Sequence, residues 1–185
     1  TNKKYYIEEG SSFNDVTPIR LTTSAGDVTF AKVANGDATI TVSDTAHGAV
    51  MHDFVTFADA VSLGGNITAP VLNQEYQIAT IVNANSYTIE AKDTSGDPVL
   101  AAAGDSGNGG SSTVGAYQLN TGLNTYISST GWGIDAWGIN AFGSASSLTF
   151  TNQLRLWSSD NFGEDLILHP RGGAIFYWNT SAGTN

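Results

Sequence analysis

Cysteine is absent from the 185 residues, and basic side chains are scarce. The missing cysteine excludes disulfides and thiol chemistry. Seven Lys and Arg stand against 17 Asp and Glu, which gives a net charge of −10. Such a surface repels phosphate, so the balance argues against sequence-specific reading of nucleic acid. It would still suit a passage through which nucleic acid slides without sticking.

Charge of either sign is also sparse, because only 13% of the residues are charged, where about 25% is ordinary. Solubility therefore depends on Ser, Thr and Asn. No apolar run approaches the roughly 18 residues of a membrane-spanning helix. The chain opens on Thr1 without an initiating Met or a signal peptide, and we expect a fragment of a longer protein.

The pattern that is present is that of short strands. Residues 27–33 and 38–44 alternate apolar and polar positions on either side of an Asn-Gly hairpin signal. Residues 53–61 continue the alternation, and residues 73–92 indicate a strand, a tight turn at Asn83–Ser86 and another strand. No stretch has a helical apolar stripe. The fold class is therefore all-β, with a small β-barrel or sandwich module over residues 20–93.

The remaining chain divides into three further parts. Residues 1–19 form leading strands, and Pro18 predicts an edge or a bend there. Residues 94–147 combine a Gly/Ser-rich linker, centred on residues 104–112, with a strand and an aromatic-glycine repeat. Residues 148–185 are predicted to form antiparallel hairpins that resemble part of a β-propeller, with residues 158–163 as a turn between two strands.

Residues that could carry catalysis or bind ions are few and poorly grouped. His47 and His52 lie five apart near a turn, and His169 precedes a proline, but no cysteine or carboxylate cluster completes a metal set. We interpret these histidines as capping and packing residues. Residues 105–108 resemble half of a calcium loop without its closing Glu, so no metal or cofactor is assigned.

Three carboxylates lie close together in the sequence at Asp160, Glu164 and Asp165. Paired carboxylates can cleave glycosidic bonds. Glu164 and Asp165 are adjacent, however, so a strand would point them to opposite faces. Asp160 suits a tight turn. A carbohydrate-cleaving enzyme that uses Asp160 and Glu164 is the weakest of three hypotheses, and the chain is predicted not to be an enzyme.

An aromatic ring recurs at every fifth position in residues 131–143, at Trp132, Trp137 and Phe142. Each ring is followed by glycine, and a spacing of five fits neither a helix nor a strand. Buried rings would pack this bent segment against a sheet or a second subunit. Exposed rings would instead bind sugars or proteins. Packing is the preferred interpretation, and ligand stacking stays open.

Five stretches together resemble virion structural proteins of tailed bacteriophages, above all the tail nozzle, tubular protein B and packaged-DNA-stabilisation group of short-tailed phages. They occur in the same order along nearly the whole chain. The stretches are residues 5–20, 39–67, 72–91, 115–133 and 154–178.

This resemblance implies a role in the virion tail. Nozzle proteins form a ring, typically of six copies, next to other tail or adaptor proteins, and they close the channel on packaged DNA until ejection. Their architecture is a β-propeller with inserted β domains, assembled in the host cytoplasm. Residues 20–93 would then be an inserted module and residues 148–185 propeller-like hairpins. The alternative is a carbohydrate-binding or adhesin module that uses Trp132, Trp137 and Phe142.

Overall fold

The computed structural model describes residues 4–120, 156–171 and 173–182. The chain divides into two compact units, one of residues 18–120 and the other of residues 1–17 with 121–185. The strands are β1 (Tyr6–Glu9), β2 (Ser12–Asp15), β3 (Ile19–Thr22), β4 (Thr29–Lys32), β5 (Thr39–Ser43), β6 (Phe54–Ala58), β7 (Glu75–Gln77), β8 (Thr80–Asn83), β9 (Ser86–Glu90), β10 (Val114–Gln118), β11 (Trp157–Phe162), β12 (Asp165–Pro170) and β13 (Phe176–Trp178). One helical turn, α1, spans Ala69–Leu72, and a 3-10 turn spans Thr180–Ala182.

The unit of residues 18–120 is a sandwich of two four-stranded antiparallel sheets. One sheet has the order β3-β10-β6-β7 and the other β4-β5-β9-β8. The hairpins predicted at Asn35-Gly36 and at Asn83–Ser86 are present as β4–β5 and β8–β9. None of the four sheets of the described residues closes into a barrel. The all-β prediction is confirmed, and the module is a sandwich.

Alternation along the strands builds the core of this sandwich. The strands of the two sheets, apart from the edge strand β3, turn one set of apolar or aromatic side chains inward. Phe30 of β4 and Phe57 of β6 meet across the sheets in an edge-to-face contact with ring centroids 5.0 Å apart. Tyr87 of β9 and Tyr117 of β10 meet in the same way at 6.2 Å. These contacts join the two sheets.

Two local features differ from the alternation pattern. Residues 73–83 look like one strand, but the chain leaves one sheet after Gln77 and enters the other at Thr80. The change of sheet occurs at Ile78, whose N–H donates to Asp53 and whose carbonyl accepts from His52. Pro70 is the second residue of the helical turn α1, and it suits the first turn of a helix because the N–H groups there have no partner within the helix.

Proline precedes the edge strand of the sandwich, and glycines occupy its long connection from β9 to β10. Pro18 directly precedes β3, which is an edge strand, as predicted. The long connection from β9 to β10 includes residues 104–112, and it lies within the compact unit of residues 18–120. Gly109 and Gly110 have φ values of +90° and +88°, a left-handed conformation that glycine adopts without strain.

The other unit contains a hairpin, β1–β2, and a three-stranded meander, β11-β12-β13. Tyr5 joins them, since its ring contacts Trp157 at 5.5 Å and its hydroxyl lies 2.6 Å from Ser159 Oγ. The prediction of a turn over residues 158–163 is wrong, because Trp157–Phe162 is a strand and the turn is formed by Gly163 and Glu164. The propeller assignment stays a prediction.

The cross-sheet contact of Phe57 generates a stability prediction. Phe57 is 1% exposed and packs on Phe30 and Tyr76. Phe57→Ala should lower the free energy of unfolding by about 3–5 kcal/mol, because it removes buried area and leaves a cavity. Urea denaturation measures this value. As a matched control, Phe13→Ala removes a ring that is 72% exposed and should change stability by less than about 0.5 kcal/mol. Equal effects would contradict the role assigned to Phe57.

Candidate functional site

The sandwich encloses a polar group that we call the His47 cluster, formed by Arg20, Asp44, His47, Tyr87 and Tyr117. Asp44 and His47 lie on the connection that passes from β5 to β6, and the other three side chains come from β3, β9 and β10. His47 is 1% exposed and Asp44 is 5% exposed. Sheet pairing thus gathers five polar side chains from four separate parts of the chain. Such a cluster is where catalysis or binding would first be sought.

Both ring nitrogens of His47 are engaged in hydrogen bonds. Nδ1 accepts from the N–H of Ala49 at 3.0 Å, and Nε2 lies 3.2 Å from the carbonyl oxygen of Asn83. This arrangement fits a neutral ring that carries its proton on Nε2. The His47 carbonyl accepts from Arg20 Nη2 at 2.7 Å. His47 therefore fixes the loop that follows β5, and neither nitrogen is open to a metal or a substrate.

The two tyrosine hydroxyls form a chain that ends on Asp44. Tyr117 donates to Asp44 Oδ2 at 2.6 Å, which leaves Tyr87 to donate to the Tyr117 oxygen at 2.8 Å. Burial raises the pKa of both phenols above the usual value, and Tyr87 and Asp44 raise that of Tyr117 further. Both hydroxyls therefore remain protonated and act as donors. Arg20 lies over the Tyr117 ring, 5.2 Å from its centroid.

A second buried polar site is the carboxylate of Asp105, which is 1% exposed. Its Oδ1 accepts from the N–H groups of Gly65 and Ile67, and its Oδ2 accepts from those of Asn66 and Ala102, at 2.7–3.1 Å. Burial disfavours the charged form, but the backbone donors outweigh it and lower the pKa of Asp105. Asp105 thus binds the loop before α1 rather than an ion.

The basic side chains of this unit all make internal contacts. Residues 18–120 contain three basic and ten acidic side chains. Arg20 bonds the His47 carbonyl, Lys32 Nζ donates to the carbonyls of residues 102 and 103, and Lys92 lies 5.3 Å from the Tyr76 ring centroid. The exposed acidic residues are Asp27, Asp59, Glu90 and Asp97. The surface of the sandwich is therefore strongly acidic.

The three carboxylates of the β11–β12 hairpin have different surroundings. The register places Asp160 and Asp165 on the same face of the meander, and Glu164 lies in the turn. Asp165 accepts hydrogen bonds from the Tyr177 hydroxyl and from the N–H and hydroxyl of Thr180, and these bonds lower its pKa. Asp165 is thus occupied in joining β12 to the turn after β13.

Several sequence hypotheses concern residues outside the described part. Trp132, Trp137 and Phe142 lie there, so their packing and their ligand-binding interpretations stay predictions. In residues 4–120, 156–171 and 173–182, no three His, Asp or Glu side chains form a group that could hold a metal ion. The same residues contain no helix long and apolar enough to cross a membrane. Comparisons with protein-family models, with curated proteins and with solved structures find no match to this chain.

The capping and packing interpretation of His47 agrees with its contacts, but sequence reasoning missed its partners Arg20, Asp44, Tyr87 and Tyr117. Tyr87 and Ile89 are two residues apart and share the inward face of β9. A buried tyrosine needs a partner for its hydroxyl. That alternation is a signal for the cluster, but it does not identify Asp44 as the acceptor. The sequence around Asp105 indicates only half of a calcium loop. Its actual partners lie 38–40 residues away, apart from Ala102.

The order of the hydroxyl chain predicts unequal effects of two matched substitutions. Tyr117→Phe leaves Asp44 without its donor and Tyr87 without its acceptor, so it should cost about 2–3 kcal/mol of unfolding free energy. Tyr87→Phe removes only the first donor and should cost about 1 kcal/mol. Denaturant unfolding of both variants measures the difference. Equal losses, or a larger loss for Tyr87→Phe, would contradict the proposed order.

The Asp105 carboxylate predicts a stability difference that depends on pH. Asp105→Asn should cost about 3 kcal/mol at neutral pH, because an amide nitrogen replaces one acceptor of buried N–H donors. The folded pKa lies below the unfolded value of about 3.9. The stabilisation is therefore complete above that value and is lost as the pH falls through the folded pKa.

Denaturant unfolding of the wild-type chain and of Asp105→Asn at neutral and acid pH tests this prediction. The difference between their unfolding free energies should shrink in acid. Asp93→Asn is the matched control, because Asp93 accepts two N–H groups in a turn whose donors, Ser95 and Asp97, are exposed. It should cost less than about 1 kcal/mol. A pH-independent gap for Asp105→Asn would contradict the carboxylate assignment.

Proposed function

We propose that this chain is a non-enzymatic structural component of a bacteriophage tail, of the nozzle kind that closes the DNA channel and passes DNA at ejection. Copies of the chain would form a ring together with other tail or adaptor proteins. The proposal starts from the resemblance of the five sequence stretches. We further propose that the chain is located in the virion and that it makes no sequence-specific contact with DNA.

The observation that carries the proposal is the distribution of charge on the sandwich. All three basic side chains of residues 18–120 make internal contacts, while four carboxylates are exposed. Protein–DNA affinity depends on Lys and Arg that neutralise phosphates. A surface with four exposed carboxylates, whose few cations are engaged in internal contacts, repels the duplex and does not retain it. This is the property that a channel wall needs if DNA is to move past it rapidly.

The state of the buried polar groups supports a structural role. His47, Asp44 and Asp105 have the side-chain chemistry of catalytic residues, but each accepts hydrogen bonds from the backbone or from a neighbouring side chain. A catalytic group must reach the atom from which it takes a proton. Groups enclosed in this way stabilise loops instead. The polar chemistry of the sandwich is consistent with a component of a particle.

Electron microscopy of virions purified from the native source tests the proposal. The complete protein that contains this sequence should appear in the tail as a symmetric ring into which residues 18–120 fit as a sandwich. Mass spectrometry of the same particles should detect peptides of the chain, and a lysate freed of particles is the control. Detection only as a free monomer outside the particles would overturn the proposal.

A further inference from the structure

The sandwich contains two Asn-Gly pairs whose backbone surroundings differ. Asn35-Gly36 lies in the β4–β5 hairpin, and Asn108-Gly109 lies in the connection from β9 to β10. Both asparagines are exposed. Asn-Gly is the sequence in which a backbone nitrogen most easily attacks the preceding side-chain amide, because glycine has no Cβ to hinder the approach. The structure distinguishes the two pairs by their hydrogen bonds.

At Asn35 the attacking nitrogen is engaged. The N–H of Gly36 donates to the carbonyl of Ala101 at 2.7 Å, a short and therefore strong bond. This bond must break before the nitrogen can turn toward the Asn35 amide. Within residues 4–120, 156–171 and 173–182, no donor reaches the side-chain oxygen of Asn35. The fold therefore protects this pair.

At Asn108 the situation is reversed. The N–H of Gly109 has no hydrogen-bond partner among the described residues, and its peptide group is held only through the Asn108 carbonyl, which accepts from the Phe30 N–H at 3.0 Å. The side-chain oxygen Oδ1 of Asn108 accepts from the N–H of Gly110 at 3.1 Å. A donor at this position stabilises the negative charge that develops on the oxygen when the amide carbon is attacked. The backbone thus supplies an unbonded nucleophile and a polarised amide.

We propose that Asn108-Gly109 is a site of spontaneous backbone modification through a cyclic succinimide. The Gly109 nitrogen bonds to the Asn108 side-chain carbon, and the amide nitrogen leaves as ammonia together with the proton lost by Gly109. Water then opens the ring. Cleavage at the side-chain carbonyl gives an aspartate with a normal backbone at this position, and cleavage at the backbone carbonyl gives isoaspartate. The reaction consumes only water and involves no oxidation or reduction.

The position of the pair gives the modification a structural consequence. The carbonyl of Asn108 accepts from Phe30 in β4, and the carbonyl of Gly109 accepts from Val61, which follows β6. These two residues therefore connect the two sheets at one margin of the sandwich. A Cβ at Gly109 would lie 2.5 Å from the Phe30 ring, so the backbone has no spare room there. Isoaspartate adds a methylene to this backbone and displaces at least one of the two bonds.

Peptide mapping of the incubated chain tests the proposal. The protein is kept at neutral to mildly alkaline pH, either folded or in concentrated guanidinium chloride. Mass spectrometry with fragmentation that separates aspartate from isoaspartate then gives the conversion rates at positions 108 and 35. The rate at position 108 divided by the rate at position 35 should be at least about fivefold higher in the folded chain than in the denatured one. One net hydrogen bond accounts for a factor of this size.

The denatured sample is the internal control, because it contains both pairs without their native hydrogen bonds. The variant Asn108→Ser should abolish conversion at position 108 and leave the rate at Asn35 unchanged. A folded-state ratio equal to or below the denatured ratio would overturn the proposal. Circular dichroism of the folded sample during incubation verifies that the measured rates belong to the native chain.

Discussion

The buried carboxylate of Asp105 is the interaction on which the sandwich depends most. It accepts four backbone N–H groups, and that of Ile67 is buried and would otherwise have no partner. Three of these donors lie in the loop before α1, and the fourth lies in the connection toward β10. Asp105 thus fixes that long connection against the loop at residues 65–67. The connection must be fixed for β10 to lie between β3 and β6, and β10 carries Tyr117 into the core.

The His47 cluster performs the same task at another connection. The chain passes from β5 in one sheet to β6 in the other, and Ala46 and His52 have φ values of +55° and +73° on the way. Such conformations cost energy for residues other than glycine. Hydrogen bonds of His47, Asp44 and Asp53 offset that cost locally. Two of the connections that join the sheets, from β5 to β6 and from β9 to β10, are therefore stabilised by buried side-chain acceptors.

Alternation predicted β4, β5, β9 and their hairpins because each of these strands has one inward face and a turn with its own sequence signal. It could not predict the change of sheet at Ile78, where no Gly or Pro interrupts the pattern. It also placed a turn at residues 158–163, because Ser, Asp and Asn there have turn propensity. Cross-strand pairing of β11 with β12 overrides that propensity. The partners of Asp105 and Tyr117 are distant in sequence, so only the fold identifies them.

The small number of ion pairs bears on the proposed role. Among the described residues a single ion pair is present, between Lys4 and Asp15. The sandwich is held instead by apolar burial and by hydrogen bonds that are enclosed within it. Dissolved ions screen exposed charges beyond about 8 Å at physiological ionic strength, but they weaken enclosed hydrogen bonds much less. A protein beside densely packed DNA and its counterions would therefore keep its fold, while its exposed carboxylates repel the phosphates. On the proposed role, such an environment would explain the low charge content and the acidic excess together.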